Sequence, residues 1–215
     1  MDKTIYVIGG TNGVGKSTIK DDLIKHGIPY INADFIARGL KHQPGSLMLA
    51  ELARQYGSEQ MKLHIKNDES FAFENNMHEA KSYEWLLTMQ KAGYKINLLY
   101  VGVQDLEITT KRIDERVKRG EHYVPPGEVL NRYENGIKLL KYYFDKPDTL
   151  TLIDNSTRPI IQLEAQEGKI TFLNTDAPLW VRSIVDDIKK NTQKDDIKAL
   201  NSIDQIKELY KKLKR

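Results

Sequence analysis

Eight consecutive residues near the amino terminus have the spacing Gly-x-x-x-x-Gly-Lys-[Ser/Thr] of a phosphate-binding loop (P-loop). They are Gly10, Thr11, Asn12, Gly13, Val14, Gly15, Lys16 and Ser17. Glycines let such a loop curl around phosphate oxygens, so that its backbone N–H groups point at them. Lys16 would neutralise the β- and γ-phosphates, and the Ser17 hydroxyl would ligate Mg²⁺. The motif predicts a site for a nucleoside triphosphate.

Three polar side chains that follow predicted strands could serve a phosphoryl acceptor. Asp34 follows the strand predicted over residues 28–32, where a carboxylate can deprotonate or orient an attacking hydroxyl group. The alternative for Asp34 is a helix N-cap ahead of Phe35. Glu74 ends the next predicted strand, and Asn76 lies beside it as a second hydrogen-bonding group. They could hold a sugar or ribose hydroxyl or be ordinary solvated loop residues.

Basic side chains surround a Gly- and Pro-containing break between two predicted helices. The break covers residues 120–127, and the cluster comprises Lys111, Arg112, Arg116, Lys118, Arg119 and Arg132. Guanidinium groups stabilise the charge on a transferred phosphoryl group, which is typical of a lid that closes over phosphates. A solvated helix face is the alternative, because acidic residues are interspersed. A nucleic-acid surface is disfavoured, because no aromatic stacking platform accompanies the arginines.

These candidates require strands and helices that alternate along the chain. Runs of β-branched and aromatic residues predict strands over residues 4–9, 28–32, 70–74, 95–103 and 148–154. Helical patterns between them cover residues 17–25, 46–60, 78–91, 105–119 and 128–144. The alternation predicts an α/β fold of the P-loop NTPase or kinase type, with a mostly parallel sheet and helices on both faces.

Two segments near the carboxyl terminus depart from this alternation. Residues 160–165 and 169–174 flank Gln166-Glu167-Gly168 and predict a small β-hairpin. Residues 195–215 are rich in lysine, with apolar residues mostly three or four positions apart, and predict an amphipathic C-terminal helix or pair of helices. This tail would either pack on its own domain or bind a partner.

Composition narrows the class of protein. The 215 residues are 40% hydrophobic and 29% charged, which suits one domain with a substantial core, and a net charge of +3 argues against a protein that coats nucleic acid. The chain has no cysteine, which fits a reducing cytoplasm, and no apolar run approaches the roughly 20 residues of a membrane span. We therefore expect a cytoplasmic protein with a P-loop kinase domain over residues 1–190, a lid at about 116–132, and a tail over 191–215.

The order of the motifs resembles that of the zeta-toxin family of P-loop kinases, whose compact bacterial branch is often labelled predicted ABC-type ATPases. The matching segments are residues 9–18, 31–37, 71–74, 116–125 with 131–135, and 153–156. Each segment is short, but their common order makes the resemblance specific.

The resemblance implies ATP- and Mg²⁺-dependent phosphorylation of the sugar 3-hydroxyl of UDP-N-acetylglucosamine, by a toxin that a protein antitoxin restrains. It implies roles for the following residues: Gly10 to Thr18 (Gly10, Thr11, Asn12, Gly13, Val14, Gly15, Lys16, Ser17 and Thr18) and Asn155 in binding ATP, Ser17 in holding Mg²⁺, Lys16, Asp34, Arg116 and Arg132 in catalysis, and Asp34, Glu74 and Asn76 in binding the acceptor.

The chain departs from the family pattern in the acceptor-binding segment. The family's Glu-Thr-Thr-Leu-Ser is Glu74-Asn75-Asn76-Met77-His78 here, so two hydroxyl positions carry amides. Two alternatives to a nucleotide-sugar kinase therefore stay open. One is a kinase of a nucleoside, a cofactor or a nucleic-acid 5′ end, and the other is a regulatory P-loop NTPase without kinase activity.

Overall fold

Strands and helices alternate through the part of the chain that the computed structural model describes, which is residues 2–32, 47–119 and 123–190. The strands in this part are β1 (Thr4–Gly9), β2 (Tyr30–Ile31), β3 (Phe71–Asn75), β4 (Lys95–Gly102), β5 (Thr149–Asp154), β6 (Ile160–Gln166) and β7 (Lys169–Leu173). The helices are α1 (Lys20–Lys25), α2 (Leu47–Lys66), α3 (Ala80–Lys91), α4 (Leu106–Lys118), α5 (Pro126–Tyr142) and α6 (179–190), and a short 3₁₀ turn covers Lys16–Thr18. The predicted α/β class is confirmed.

The strands of the described residues form one sheet in the order β2-β3-β1-β4-β5-β6-β7. The first five of these positions are parallel, and β6 and β7 extend the sheet antiparallel. Because β1 lies between β3 and β4, its carboxyl end is the switch point at which doubly wound sheets bind ligands. Gly9 pairs with Asn75 on one side and Tyr100 on the other, so the loop after β1 emerges between two other strand ends.

Apolar side chains on both faces of the sheet form the core. Ile5 and Val7 belong to a larger cluster that includes side chains from α3, α5 and α6, whereas Ile8 belongs to a smaller one that α1 and α4 cover. All three β1 side chains are fully buried. Burying an aliphatic side chain of this size contributes about 1.5–3 kcal/mol, so the sheet is a stable platform for the loops at its carboxyl edge.

Two predicted helices have different ends in the structure, for local reasons. Helix α2 was expected to end near Gln60 but continues to Lys66, because Met61 and Ile65 pack against the larger core cluster. Helix α3 begins at Ala80 rather than at His78. The Asn75 side chain accepts a hydrogen bond from the Met77 backbone N–H at 2.7 Å, and Met77 has a φ of 52°, so this turn cannot be helical.

The carboxyl-terminal part of the described chain confirms one prediction and adds an element. The predicted hairpin is formed by β6 and β7, and because β6 also pairs with β5, the hairpin extends the main sheet. Helix α6 was not predicted, although Trp180, Val181, Ile184 and Val185 have helical spacing, and all four are buried. Within the described residues, no helix has the length and apolar content needed to cross a membrane. The tail predicted over residues 191–215 lies outside them.

A buried hydrogen bond ties α6 to the end of β5. The Trp180 indole Nε1–H donates to the Asp154 carboxylate at 2.9 Å, and both side chains are buried. The second Asp154 oxygen accepts from the Ser156 backbone N–H at 3.0 Å. A buried carboxylate needs such donors, and here they fix the loop that follows β5.

Candidate active site

The loop after β1 is shaped by glycines that no other residue could replace without strain. Gly13 and Gly15 have φ values of 81° and 88°, in the left-handed region. A Cβ atom on Gly13 would lie 2.7 Å from the Thr109 carbonyl oxygen, because α4 packs directly against the loop. The loop is thus held in the open curl that directs backbone N–H groups at a bound anion.

The Lys16 side chain folds over this loop and reaches the end of β3. Its ammonium group donates to the carbonyl oxygens of Gly10 at 2.6 Å and Thr11 at 3.1 Å, and to the Asn76 side-chain oxygen at 3.1 Å. The Ser17 side chain is exposed at the adjacent turn. A hydroxyl oxygen next to a phosphate-binding loop is a hard ligand that suits Mg²⁺, which is usually held by one or two protein oxygens and the substrate phosphates.

A second layer of hydrogen bonds supports the loop from the end of β5. Asn155, which is 5% exposed, donates from its side-chain amide to the Val14 carbonyl at 2.8 Å. The Arg112 guanidinium donates to the carbonyl oxygens of Asn155 at 2.9 Å and Ser156 at 3.2 Å. The sequence pattern places Arg112 among the lid arginines, but the structure shows it as a brace between α4 and the loop after β5. The Asn155 amide, which is expected to bind the nucleotide, contacts the backbone of the P-loop.

A polar cluster lies at the carboxyl ends of β2 and β3. The Tyr30 hydroxyl donates to the Glu74 carboxylate, and the Asn32 amide donates to the Tyr30 oxygen at 3.1 Å. Neither Tyr30 nor Asn32 was predicted as a site residue. Tyr30 and Asn32 are two positions apart at the end of a predicted strand, and this spacing was the available signal that both side chains lie on the same face. Through Asn76, two residues after Glu74, this cluster adjoins Lys16.

His78 lies in the chain between β3 and α3, close enough to the predicted lid for the charges of Arg132 and Glu128 to act on its ring. Its ring Nδ1 is buried and has no hydrogen-bond partner among the described residues, and its Nε2 is 4.0 Å from the Glu79 carboxylate. Burial lowers the pKa of His78 below its usual value of 6.5, and the positive charges of Arg132 and Lys81 lower it further, against the opposing charges of Glu79 and Glu128. The ring is therefore neutral at neutral pH.

The predicted lid arginines stand on two different helices. Arg132, on α5, donates to the Asn12 side-chain oxygen at 2.5 Å and forms an ion pair with Glu128 one turn earlier. Arg116 is half-buried in the last turn of α4. The structure therefore brings Arg132 to the P-loop. Residues 120–122, between the two helices, lie outside the described part of the chain.

Asp34, expected to be the catalytic base, also lies outside the described residues, with the rest of the segment 33–46. The described strand β2 ends at Ile31, and it pairs with β3 through two residues, Tyr30 with Ala72 and Ile31 with Phe73. Among the predicted site residues that are described, Lys16, Asn76, Arg132 and the P-loop lie in one hydrogen-bonded group at the carboxyl edge of the sheet, and Glu74 lies beside it.

Sequence comparisons find relatives of limited extent, and no protein-family model matches the chain. An uncharacterized protein of Haemophilus influenzae is 29% identical over 136 residues, which is 62% of this chain and 94% of that protein. A dephospho-CoA kinase of Aggregatibacter actinomycetemcomitans is 43% identical over 56 residues, or 25% of this chain and 27% of the kinase.

Similar solved structures extend over most of the chain at low sequence identity. A chain of the AvrRxo1-ORF1:AvrRxo1-ORF2 complex has a TM-score of 0.64 at 12% identity. The similarity covers 81% of the protein described here and 62% of the AvrRxo1 complex chain. The same complex has also been crystallised with ATP, with a TM-score of 0.62. A chain of the PezAT chromosomal toxin–antitoxin system of Streptococcus pneumoniae has a TM-score of 0.56 at 11% identity, covering 88% of this chain and 87% of its own. These similarities confirm the predicted P-loop kinase fold.

Proposed function

We propose that this protein is an ATP- and Mg²⁺-dependent kinase that transfers the γ-phosphoryl group to a small hydroxyl acceptor. The observation that carries the proposal is the 3.1 Å hydrogen bond between the Lys16 ammonium and the Asn76 side chain. This hydrogen bond holds Lys16, the proposed phosphate-binding lysine, at the strand end that carries Glu74, which supports a site where a triphosphate and an acceptor would meet at one edge of the sheet. Phosphoryl transfer needs this juxtaposition, whereas nucleotide binding alone does not.

Each residue of the proposed site has a role in the transfer. Lys16 and the backbone N–H groups of residues 13–18 would hold the phosphates, and Ser17 would hold Mg²⁺, which neutralises phosphate charge when it is bound. Arg116 and Arg132 would stabilise the charge on the transferred group. Glu74 would accept a hydrogen bond from the acceptor. The proposed base is Asp34, because a carboxylate that follows the second predicted strand can deprotonate or orient the attacking hydroxyl group.

For the acceptor we propose a nucleotide sugar, UDP-N-acetylglucosamine, and for the biological role a toxin with a protein antitoxin as partner. The resemblance to zeta toxins supports both proposals, and the fold similarity to the PezAT system is compatible with them. The amides of Asn75 and Asn76 and the ring of His78 alter the acceptor side of the site, so a different hydroxyl compound is the natural competitor.

A second acceptor class is favoured by one specific comparison. The 56-residue segment shared with a dephospho-CoA kinase is 43% identical, well above the identity of the structural neighbours. That enzyme's name identifies a nucleotide-containing cofactor as its acceptor. Dephospho-CoA therefore belongs in the same assay as UDP-N-acetylglucosamine, together with nucleosides and a 5′-hydroxyl oligonucleotide.

The test incubates the purified protein with ATP, Mg²⁺ and each acceptor, and examines the products by mass spectrometry. A gain of about 80 Da on one acceptor, the mass of an HPO₃ group, identifies phosphoryl transfer. We expect Lys16→Ala and Asp34→Ala each to lower the rate by at least about 100-fold while the fold is retained. Lys62→Ala, an exposed lysine on α2 paired with Glu59, is the matched control and should retain full activity.

Other outcomes would contradict the proposal. ADP and free phosphate without any modified acceptor would favour the regulatory NTPase. Full activity in Asp34→Ala would remove Asp34 from the mechanism while leaving the kinase assignment in place.

A further inference from the structure

The guanidinium of Arg132 is held on two sides by side chains that the function proposed above does not use. Its Nη1 donates to the Asn12 side-chain oxygen at 2.5 Å, across 120 positions of sequence, and its Nη2 pairs with the Glu128 carboxylate. We propose that Asn12 and Glu128 are positioning residues that hold the Arg132 guanidinium at the mouth of the P-loop, where it meets the γ-phosphoryl group of ATP. We call these three side chains the arginine latch. The inference rests on the proposed function, because it needs a triphosphate in the loop.

The latch is not needed to hold α5 against the P-loop. Val129, on the same helix, is 2% exposed, and its carbonyl accepts a hydrogen bond from the Thr11 hydroxyl at 3.4 Å. Pro126, in the first turn of α5, sets the backbone at the start of that helix. Helix α5 is therefore anchored by the burial of Val129 and by its backbone. The side-chain contacts of Arg132 determine the position of the guanidinium group alone.

The latch leaves the guanidinium able to bind phosphate. A guanidinium has five N–H donors in a fixed fork, and the two latch contacts use one from each of two nitrogens, so three donors are left. Arg132 is also 22% exposed, which permits an incoming anion to reach it. Three donors on a planar group suit two phosphoryl oxygens.

The geometry of the latch favours a fixed guanidinium over a mobile one. Glu128 precedes Arg132 by four residues on a helix, the orientation in which an acid and a base pair most favourably. Asn12, which belongs to the P-loop, restrains the other guanidinium nitrogen of Arg132. Any movement of the P-loop on binding the nucleotide is therefore transmitted to Arg132. A side chain that is ordered before ATP binds loses less conformational entropy on binding.

A double-mutant cycle separates this role from a structural one. Isothermal titration measures the affinities of wild type, Asn12→Ala, Arg132→Ala and the double variant for ADP and for a non-hydrolysable ATP analogue. We expect Arg132→Ala to weaken binding of the ATP analogue by about 10–100-fold, the range of a charge-assisted hydrogen bond, and to change ADP affinity by less than about twofold. Asn12→Ala should weaken binding of the ATP analogue by about 3–10-fold in the wild-type background and cause no further loss with Arg132→Ala.

Additive losses, an equal loss for ADP, or no effect of Asn12→Ala would each overturn the proposal. The same cycle with Glu128→Ala tests the second anchor, with the same expected non-additivity. Lys138→Ala, an exposed change on α5, is the control for that helix and should leave both affinities unchanged. The binding affinities can be measured without catalytic turnover. A wild-type protein that transfers no phosphoryl group would therefore contradict the proposed kinase activity, and the double-mutant cycle would still test the arginine latch.

Discussion

Among the described residues, the Lys16 ammonium donates to oxygens of two segments. It contacts the carbonyl oxygens of Gly10 and Thr11 in its own loop and the side-chain oxygen of Asn76, 60 positions further along the chain. In the proposed function, the oxygens of a bound triphosphate would compete with Asn76 for the ammonium donors of Lys16. Binding of ATP would then change the hydrogen bonding of Asn76, which is proposed to bind the acceptor.

His78 makes the stability of the protein depend on pH, and the burial of its ring determines the direction of that dependence. Because its pKa is lower in the folded protein than the usual 6.5, the unfolded chain takes up a proton first as the pH falls. The stability that neutral His78 contributes is thus fully present above pH 6.5 and is lost as the pH falls toward the folded-state pKa. We expect urea midpoints of wild type to decrease over this range, and those of His78→Gln to decrease less.

Carboxyl groups that titrate at lower pH affect wild type and His78→Gln alike. The difference between the urea midpoints of these two proteins, plotted against pH, therefore isolates the contribution of His78. Superimposed curves for wild type and His78→Gln would show that the buried ring does not influence stability in this range.

Local signals account for the elements that the sequence predicts well. The P-loop and its glycines were predictable because their conformation depends on neighbours in sequence, and β1, β3, β4 and β5 because their apolar runs are continuous. The arginine latch was not, because Asn12 and Arg132 are 120 positions apart and nothing in their spacing links them. Helix α2 was predicted too short, because its last turns depend on tertiary contacts of Met61 and Ile65.

The close packing of α4 on the P-loop predicts a position-specific effect of a single methyl group. Gly13→Ala forces a left-handed φ on alanine and places its Cβ 2.7 Å from the Thr109 carbonyl, so we expect a loss of at least about 1–2 kcal/mol. The loop or α4 must shift, and nucleotide affinity should fall with stability. Thermal unfolding and titration with ADP measure the two effects.

Gly127 is the matched control for this substitution. It lies in the first turn of α5, and a Cβ there meets no atom within 4 Å. Gly127→Ala should therefore leave stability unchanged or raise it by up to about 1 kcal/mol. A Gly13→Ala protein as stable as Gly127→Ala would contradict the tight contact between α4 and the loop.

A continuous set of contacts joins the far side of the sheet to the phosphate-binding loop. Helix α6 packs on the larger core cluster and fixes Asp154 through the Trp180 indole. Asp154 in turn fixes the backbone of Ser156, and the neighbouring Asn155 amide supports the Val14 carbonyl of the P-loop. Helix α6, which was not predicted from the sequence, thereby stabilises the site although none of its described residues belongs to it.

Replacing one indole tests this coupling through the whole molecule. Trp180→Phe keeps an aromatic ring in the core but leaves an Asp154 oxygen buried without its donor, which costs about 1–3 kcal/mol. Because the unpaired carboxylate will draw in water or shift, the loop after β5 should loosen and ADP affinity should decrease. Trp85→Phe, at the other tryptophan, loses packing against the larger core cluster, including the edge contact with Phe73, so it should lower the midpoint of urea unfolding without weakening ADP binding. Equal ADP affinities in the two variants, measured well below their unfolding midpoints, would show that α6 supports the core alone and does not reach the P-loop through Asp154.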